Sequence, residues 1–332
     1  MDLSKLLPDC LTNHLLAPHT TMKVGGCADF FYIANTLEKL QNVIKIARKQ
    51  KIDYLVLGNG SNVIISDSGF RGLVIKNQAA NLVIGNNEAI ADSGIELSVL
   101  IRKLAEKNLG NLEFLAGIPG TLGGAVFGNA GAFGKSIADI TNSVLILDQE
   151  NKIHSLSKTE MGFAYRTSIL KKYFQNQTEN HPVILSVNLK VISQKKEMIL
   201  RIIDNYLRIR KTKQPKYFSC GSFFKNLDLK NFPDLPRQAD LATVEDKIPA
   251  GILLERSGAK TIHVGGASVY SGHANWLINK NRKARAFDIK KLADDLKQKV
   301  RTKFGVELEE EINYIGDFKT PPKSFLQKIF NK

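Results

Sequence analysis

Seven glycines fall in the run Gly117-Ile-Pro-Gly-Thr-Leu-Gly-Gly-Ala-Val-Phe-Gly-Asn-Ala-Gly-Ala-Phe-Gly134. Each glycine inside a regular helix or strand costs roughly 0.5–1 kcal/mol relative to alanine, so this composition argues against an ordinary amphipathic helix or strand. Glycine is favoured where the backbone must take φ > 0, or where another molecule comes closer than a Cβ allows. Successive bare N–H groups in such turns also form anion-binding nests. The run therefore reads as a backbone cradle for a phosphate-bearing cofactor, or as tight turns packed against a sheet.

Length and charge narrow the context. A chain of 332 residues exceeds one ordinary core and predicts at least two domains. Its hydrophobic fraction of 43% is that of a folded globular protein. No apolar stretch reaches the ~18 residues of a membrane span. The first residues lack a basic region followed by an apolar one, which reads as no signal peptide and a cytoplasmic protein. Cys10, Cys27 and Cys220 are far apart and the histidines are scattered, so neither a disulfide framework nor a metal site is expected. The net charge of +15 favours anionic partners. It is spread over short clusters such as Arg208-Ile-Arg-Lys-Thr-Lys213, which read as solvated faces.

Periodicity predicts helices over 36–51, 97–108, 195–211 and 288–304. The first has Thr36 as N-cap, and the last buries Leu292, Leu296 and Val300. Short apolar runs predict strands at Tyr54–Leu57, Val63–Ile65, 73–75, 81–92, 144–147, 183–192, 223–225 and 312–315.

Two familiar nucleotide loops fail. A dinucleotide fingerprint needs G-x-G-x-x-G between a strand and a helix, but Gly58-Asn-Gly60 leads into the strand-like Val63–Ile65. A Walker A loop ending at Gly134-Lys-Ser136 would need its first glycine where Asn129 stands. Two separate loop nests, about sixty residues apart in one α+β domain, suit a long dinucleotide such as FAD.

Several motifs together resemble the UDP-N-acetylenolpyruvoylglucosamine reductases (UDP-N-acetylmuramate dehydrogenases) of bacterial cell-wall synthesis. They are Thr20-Thr-Met-Lys-Val-Gly-Gly26, Leu57-Gly-Asn-Gly-Ser-Asn-Val63, Gly117-Ile-Pro-Gly-Thr-Leu-Gly-Gly-Ala125 with Asn129-Ala-Gly131, and Tyr165-Arg-Thr-Ser168. Further on come Gly221-Ser-Phe-Phe-Lys-Asn226, Ala250-Gly-Ile-Leu-Leu-Glu255, Val264-Gly-Gly-Ala-Ser268, His273-Ala-Asn275 and Leu308-Glu-Glu-Glu-Ile312. The set runs in order from about residue 15 to residue 316.

The resemblance implies an α+β fold. An FAD-binding domain of the vanillyl-alcohol-oxidase/PCMH type, in two lobes, is expected over 1–194. A C-terminal α+β substrate domain follows over 195–318, with a tail at 319–332. It implies an NADPH-dependent flavoenzyme whose flavin passes hydride to C3 of an enolpyruvyl ether, C2 then being protonated to give the lactyl ether of UDP-N-acetylmuramate. The expected FAD contacts are Gly58, Asn59, Gly60, Ser61 and Asn62 on one loop. On the other they are Gly117, Pro119, Gly120, Thr121, Gly123, Gly124, Asn129 and Gly131. No histidine or cysteine lies in the first loop, so non-covalent FAD is expected.

Three residues match the family's catalytic set. Arg166 would offer planar donors to the substrate carboxylate, which gathers charge as an aci-enolate. Glu311 would assist there, and only if protonated or well paired. Ser222 matches the proton donor to C2, a weak acid that must work by position. Lys213 and Asn226 match substrate contacts near the diphosphate and carboxylate, with Lys225 and His273 as further candidates. Binding FAD, NADPH and a UDP-sugar gives part of the positive charge a task. The protein is expected to be monomeric, without nucleic-acid or membrane partners.

There are departures. Leu227 stands where the family usually has proline, and Asn313 replaces a common basic residue. Glu309-Glu310-Glu311 supplies three acids, with Glu310 the fallback for Glu311. Only a short polar stretch lies between Tyr173 and Val183, which marks the shorter class, without the tyrosine-bearing loop. A sugar or aldonolactone oxidase of the same fold, or a basic nucleic-acid-binding protein, would read differently. Purified protein should be yellow with a flavin absorbance band; a colourless protein that shifts DNA on a gel would favour the nucleic-acid reading.

Overall fold

The computed structural model describes residues 3–175, 180–235, 243, 244 and 246–318, so the expected tail at 319–332 lies outside the described residues. The chain forms two compact units. Unit 1 comprises Met1–Thr12, Phe30–Asn59 and Gly72–Thr212; unit 2 comprises Asn13–Asp29, Gly60–Arg71 and Lys213–Lys332.

In unit 1 the helix Leu37–Lys49 starts where sequence placed it. Thr36 caps it, its side chain accepting Lys39 N–H at 3.2 Å. Its buried stripe, Leu40, Val43, Ile44 and Ala47, packs on Tyr54, Leu73 and Ile75. Those three belong to a parallel strand pair in which Tyr54 lies opposite Leu73 and Leu57 opposite Lys76. A second sheet has five antiparallel strands in the order Ile153–Ser157, Thr141–Leu147, Val183–Lys190, Glu88–Asp92, Leu82–Ile84. The helix Leu97–Ala105 buries Leu97, Leu100, Ile101 and Leu104 in the same core as Val144, Val187 and Leu189.

The glycine run contains a helix, Leu122–Phe127, where composition argued against one. Thr121 caps it, accepting Gly124 N–H at 3.4 Å, and Leu122, Ala125 and Val126 are buried. Three buried apolar side chains and a cap outweigh roughly 1 kcal/mol per glycine. Gly123 is needed there, because a Cβ would meet Ser93 Cβ at 2.8 Å.

Unit 2 gathers three stretches of chain around one core. Met22, Val24 and Ile64 pack with Leu253, Leu254, Leu292, Leu296 and Val300. The strand Val63–Ile65 pairs in parallel with Asn313–Ile315. The helix Ala286–Phe304 begins two residues before the expected start. Asp67, more than two hundred residues earlier, accepts the Ala286 and Phe287 N–H groups at 2.9 Å each. A carboxylate there meets both free donors and the positive end of the helix dipole. The expected strand at 223–225 is instead a single bridge between Phe224 and Glu310.

One buried polar cluster in unit 1 sets a pH dependence. Arg48 donates to Tyr54 Oη at 2.8 and 3.0 Å, to Asn151 Oδ1 at 2.9 Å and to the His181 carbonyl at 3.0 Å. The His181 ring stacks on Tyr54 with centroids 5.0 Å apart. Burial, reinforced by the Arg48 charge, lowers the His181 pKa from 6.5 to about 4. The folded protein holds this imidazole neutral, whereas the unfolded chain protonates it below pH 6.5. Stability from His181 is therefore fully present above that pH and falls as pH drops towards 4, by roughly 1.4 kcal/mol per pH unit. Thermal melts between pH 7 and 4.5 check this: His181→Phe should flatten the decline.

Candidate active site

Unit 1 brings the start of the first predicted glycine loop, Gly58 and Asn59, against the second. The chain leaves the strand Tyr54–Leu57 at Gly58, whose Cα lies so close to Thr121 that a Cβ would run into the Thr121 hydroxyl. Asn59 Nδ2 donates to Glu96 Oε1 at 3.1 Å. Glu96 in turn bridges Thr121 across an antiparallel step, and Leu97 N–H donates to the Gly120 carbonyl at 3.0 Å. Gly117 turns at φ +79° and is exposed, as is Pro119.

The first turn of the helix after Thr121 has few donors left for a ligand. Leu122 N–H bonds the Ile95 carbonyl at 2.9 Å, Gly123 N–H bonds Ser93 O at 2.8 Å, and Gly124 N–H bonds its own cap. What this stretch offers is bare surface. Gly124 is exposed, and a Cβ on it would meet nothing nearer than Thr121 Oγ1 at 3.5 Å. At Gly128 the nearest atom would be Gly124 O at 3.7 Å.

Asn129 closes the run. It is buried at φ +44°, donates to Ala164 O at 2.8 Å and accepts Ala138 N–H at 3.2 Å. At Gly131 a Cβ would meet Lys135 O at 2.6 Å. Arg166 stands beside it, donating from Nη2 to the Gly131 carbonyl at 3.2 Å. Tyr165 and Arg166 form the tip of a tight turn closed by reciprocal Ala164–Thr167 bonds of 3.1 Å. Arg166 takes φ +55°, a conformation that costs a non-glycine residue on the order of 1 kcal/mol. Lys171, buried, donates to the Arg166 carbonyl at 3.2 Å and holds the turn in place.

Unit 2 holds the rest of the predicted set. Gly60 turns at φ +60°, where a Cβ would strike the His19 carbonyl, and its own carbonyl accepts Thr21 N–H at 3.1 Å. Ser61 follows, half-buried. Asn62 Nδ2 donates to the Glu311 carbonyl at 3.2 Å, and Asn62 O accepts Asn313 N–H at 3.0 Å. Glu311 N–H donates to Phe223 O at 2.8 Å, which sets Glu311 one residue from Ser222 across two paired backbones. The Ser222 loop has a surrogate strand on its other side. Buried Asn275 accepts Phe224 N–H at 2.8 Å and donates to Phe224 O at 2.8 Å, while its carbonyl accepts Phe223 N–H at 2.8 Å. An amide side chain thus completes the ladder that a strand at 223–225 would have made.

The three acids are sorted by lysines. Glu309 is ion-paired with Lys225, and Glu310 lies 3.2 Å from Lys297 of the helix Ala286–Phe304. Asn226 Oδ1 accepts Ala250 N–H at 3.2 Å, at the start of the helix Ala250–Arg256. Leu227 is buried and paired with Ile248, so strand pairing fixes this position. Cys220 is buried, and desolvation, with Glu311 adding to it, pushes its thiol up to about 12, which leaves it an inert packing group. His273 Nδ1 accepts Asn275 N–H at 3.2 Å, which puts the proton of the neutral ring on Nε2. Burial lowers the His273 pKa, opposed by Glu255 and assisted by Lys213 and Lys260. Lys213 itself is exposed at the end of the helix Lys196–Lys213. Among the described residues no cluster of metal-ligating side chains occurs, and no helix is long and apolar enough to cross a membrane.

Sequence comparison defines the class and then the family. Residues 28–157 match the FAD binding domain family, and residues 214–315 match the family described as UDP-N-acetylenolpyruvoylglucosamine reductase, C-terminal domain. The protein is therefore a flavin-dependent oxidoreductase with a PCMH-type FAD-binding domain. A UDP-N-acetylenolpyruvoylglucosamine reductase of Clostridium novyi is 37% identical over 326 residues, covering 96% of this chain and 97% of that protein. One from Bacillus subtilis is 34% identical, covering 92% and 94%. The crystal structure of a UDP-N-acetylenolpyruvylglucosamine reductase from Thermus caldophilus superposes with a TM-score of 0.71 at 30% identity, over 92% of this chain and 98% of that one. The chain belongs to the UDP-N-acetylenolpyruvoylglucosamine reductase family.

The residues of unit 1 fit FAD. The bare Gly124 and Gly128 surface is room that a side chain would otherwise fill, and it adjoins the Gly58 turn through Thr121. Asn275 is the most direct test of how the Ser222 loop is held. Asn275→Ala strands a buried N–H and a buried C=O, so urea unfolding should show a loss of about 2–4 kcal/mol. Asn275→Asp, which keeps only the acceptor, should fall between.

Proposed function

We propose that these residues divide the work of an NADPH-dependent reduction in which the enolpyruvyl ether of UDP-N-acetylglucosamine becomes the lactyl ether of UDP-N-acetylmuramate, a peptidoglycan precursor. FAD, when bound, supplies the two-electron chemistry, taking a hydride from NADPH and giving it to the enolpyruvyl group. Its contacts are the residues from Gly58 to Asn62, and Gly117, Pro119, Gly120, Thr121, Gly123, Gly124, Asn129 and Gly131.

The observation that carries the catalytic assignment is the Glu311 N–H to Phe223 O bond, which ties Glu311 to the Ser222 loop. Ser222 delivers the proton to C2 of the substrate. A hydroxyl is a poor acid in water, so its contribution is a fixed position against a strongly basic carbon. Arg166 holds the substrate carboxylate with planar donors and offsets the charge that grows there during reduction. Its strained turn supports that role, since strain of this kind persists where a side chain must point one way. Glu311 acts with Arg166 on the same carboxylate.

Lys213, Lys225, Asn226 and His273 bind the UDP-sugar. A neutral His273 donates from Nε2, and the two lysines attract the diphosphate. Residues 1–194 form the FAD domain and 195–318 the substrate domain. The protein works in the cytoplasm as a monomer and belongs to the shorter class, without the tyrosine-bearing loop.

Anaerobic stopped-flow of the two half-reactions tests the assignment. Ser222→Ala should leave flavin reduction by NADPH near its normal rate and slow reoxidation by the enolpyruvyl substrate by about 10²–10⁴-fold. Equal losses in both halves would remove Ser222 from the proton-donor role. Rapid flavin reduction by a sugar alone, with no response to NADPH, would overturn the reading as a whole.

A further inference from the structure

A buried lysine stands behind the first glycine loop. The strand Phe70–Asn77 is buried on both faces from residue 72 to residue 77, and Lys76 falls within that stretch with only 9% of its surface exposed. An ammonium in such a place costs several kcal/mol unless it is hydrogen-bonded. Its register places it beside Leu57, the last residue before the loop. Lys76 Nζ donates to the Gly58 carbonyl at 2.5 Å and to Asn59 Oδ1 at 3.3 Å.

These two bonds fix more than a side chain. In a trans peptide the carbonyl and the following N–H point to opposite sides of the plane. With the Gly58 carbonyl drawn inward to Lys76, the N–H of Asn59 faces the other way. The same lysine fixes the Asn59 amide: Oδ1 accepts from Lys76, so Nδ2 turns to Glu96 Oε1 at 3.1 Å. Glu96 bridges Thr121, whose hydroxyl occupies the space of a Gly58 side chain. The chain of contacts closes on itself: Lys76, the Gly58–Asn59 peptide, Glu96, Thr121, and back to Gly58.

We infer that Lys76 is a positioning residue for the cofactor pyrophosphate: it turns the carbonyl edge of the Gly58 loop inward and so leaves the N–H edge for the anion. This rests on the reading of unit 1 as the FAD site. Lys76 does not touch the cofactor; it acts through Gly58 and Asn59. It also keeps the loop in register with the second glycine run through Asn59 and Glu96.

The test is cofactor binding to apoprotein, read by flavin fluorescence, with FAD and riboflavin as probes. Lys76→Met removes the charge at similar length and should weaken FAD binding by about 10–100-fold, with a much smaller change for riboflavin, which lacks the pyrophosphate. Lys76→Arg should recover most of the loss. Asn59→Ala should cost several-fold alone and add little to Lys76→Met, because both break one network; it also carries the comparison should Lys76→Met fail to fold. Equal weakening of FAD and riboflavin, additive losses, or unchanged FAD affinity in Lys76→Met would overturn the inference. Wild-type apoprotein that binds no FAD would overturn the reading of the site as well.

Discussion

A missing methyl group organises the cofactor end of this protein. Gly58 and Thr121 approach so closely that a Cβ on the glycine would collide with the threonine hydroxyl. That hydroxyl also caps the helix Leu122–Phe127, and the same residue is bridged to Glu96. One residue therefore links a strand end and a helix start through its hydroxyl, and the residue before a second helix through its backbone. Moving any one of them shifts the other two, because a packed interior has little slack. The bare surface at Gly124 and Gly128 has a defined shape because its border is pinned at Thr121.

The chemistry of the second unit depends on sorting charge. Three adjacent glutamates would repel one another and any anionic substrate. Lys225 and Lys297 take the first two into ion pairs, and the third is tied by its backbone to the Ser222 loop. The Lys225–Glu309 pair, whose glutamate is exposed, contributes little stability, commonly under about 1 kcal/mol. The service of both pairs here is electrostatic: they offset two of the three adjacent negative charges in the run Glu309–Glu311. Asn313 bonds the Asn62 carbonyl through its backbone N–H.

Much of this was legible in the chain, and the parts that were not share a cause. Thr36 and the stripe Leu40–Ile44–Ala47 declare a helix because cap and periodicity are local. The Rossmann and Walker spacings fail on local counting too, and the ordered motifs give the family. The helix inside the glycine run was missed because its stability comes from burying Leu122, Ala125 and Val126, a tertiary gain that outweighs local propensity. The strand expected at 223–225 failed for the opposite reason: an asparagine some fifty residues on supplies the bonds of a neighbouring strand. In sequence Lys76 stands just past the apolar run 73–75 and draws no attention. Only the Gly58 carbonyl beside it gives the lysine a purpose.

The long reach of Asp67 and of the strand Val63–Ile65 carries a consequence for biosynthesis. Both find their partners only near the C-terminal end, in the helix Ala286–Phe304 and the strand Asn313–Ile315. At about 5–20 residues per second, a ribosome takes on the order of 12–50 s to make the intervening segment. During that interval Ile64 and Ile65 have no partner strand, and the core that Ile64 shares with Met22 and Val24 stays incomplete. The nascent chain is thus open to aggregation until Asn313–Ile315 has been made, and truncation a few residues before Asn313 would leave Val63–Ile65 without its partner strand.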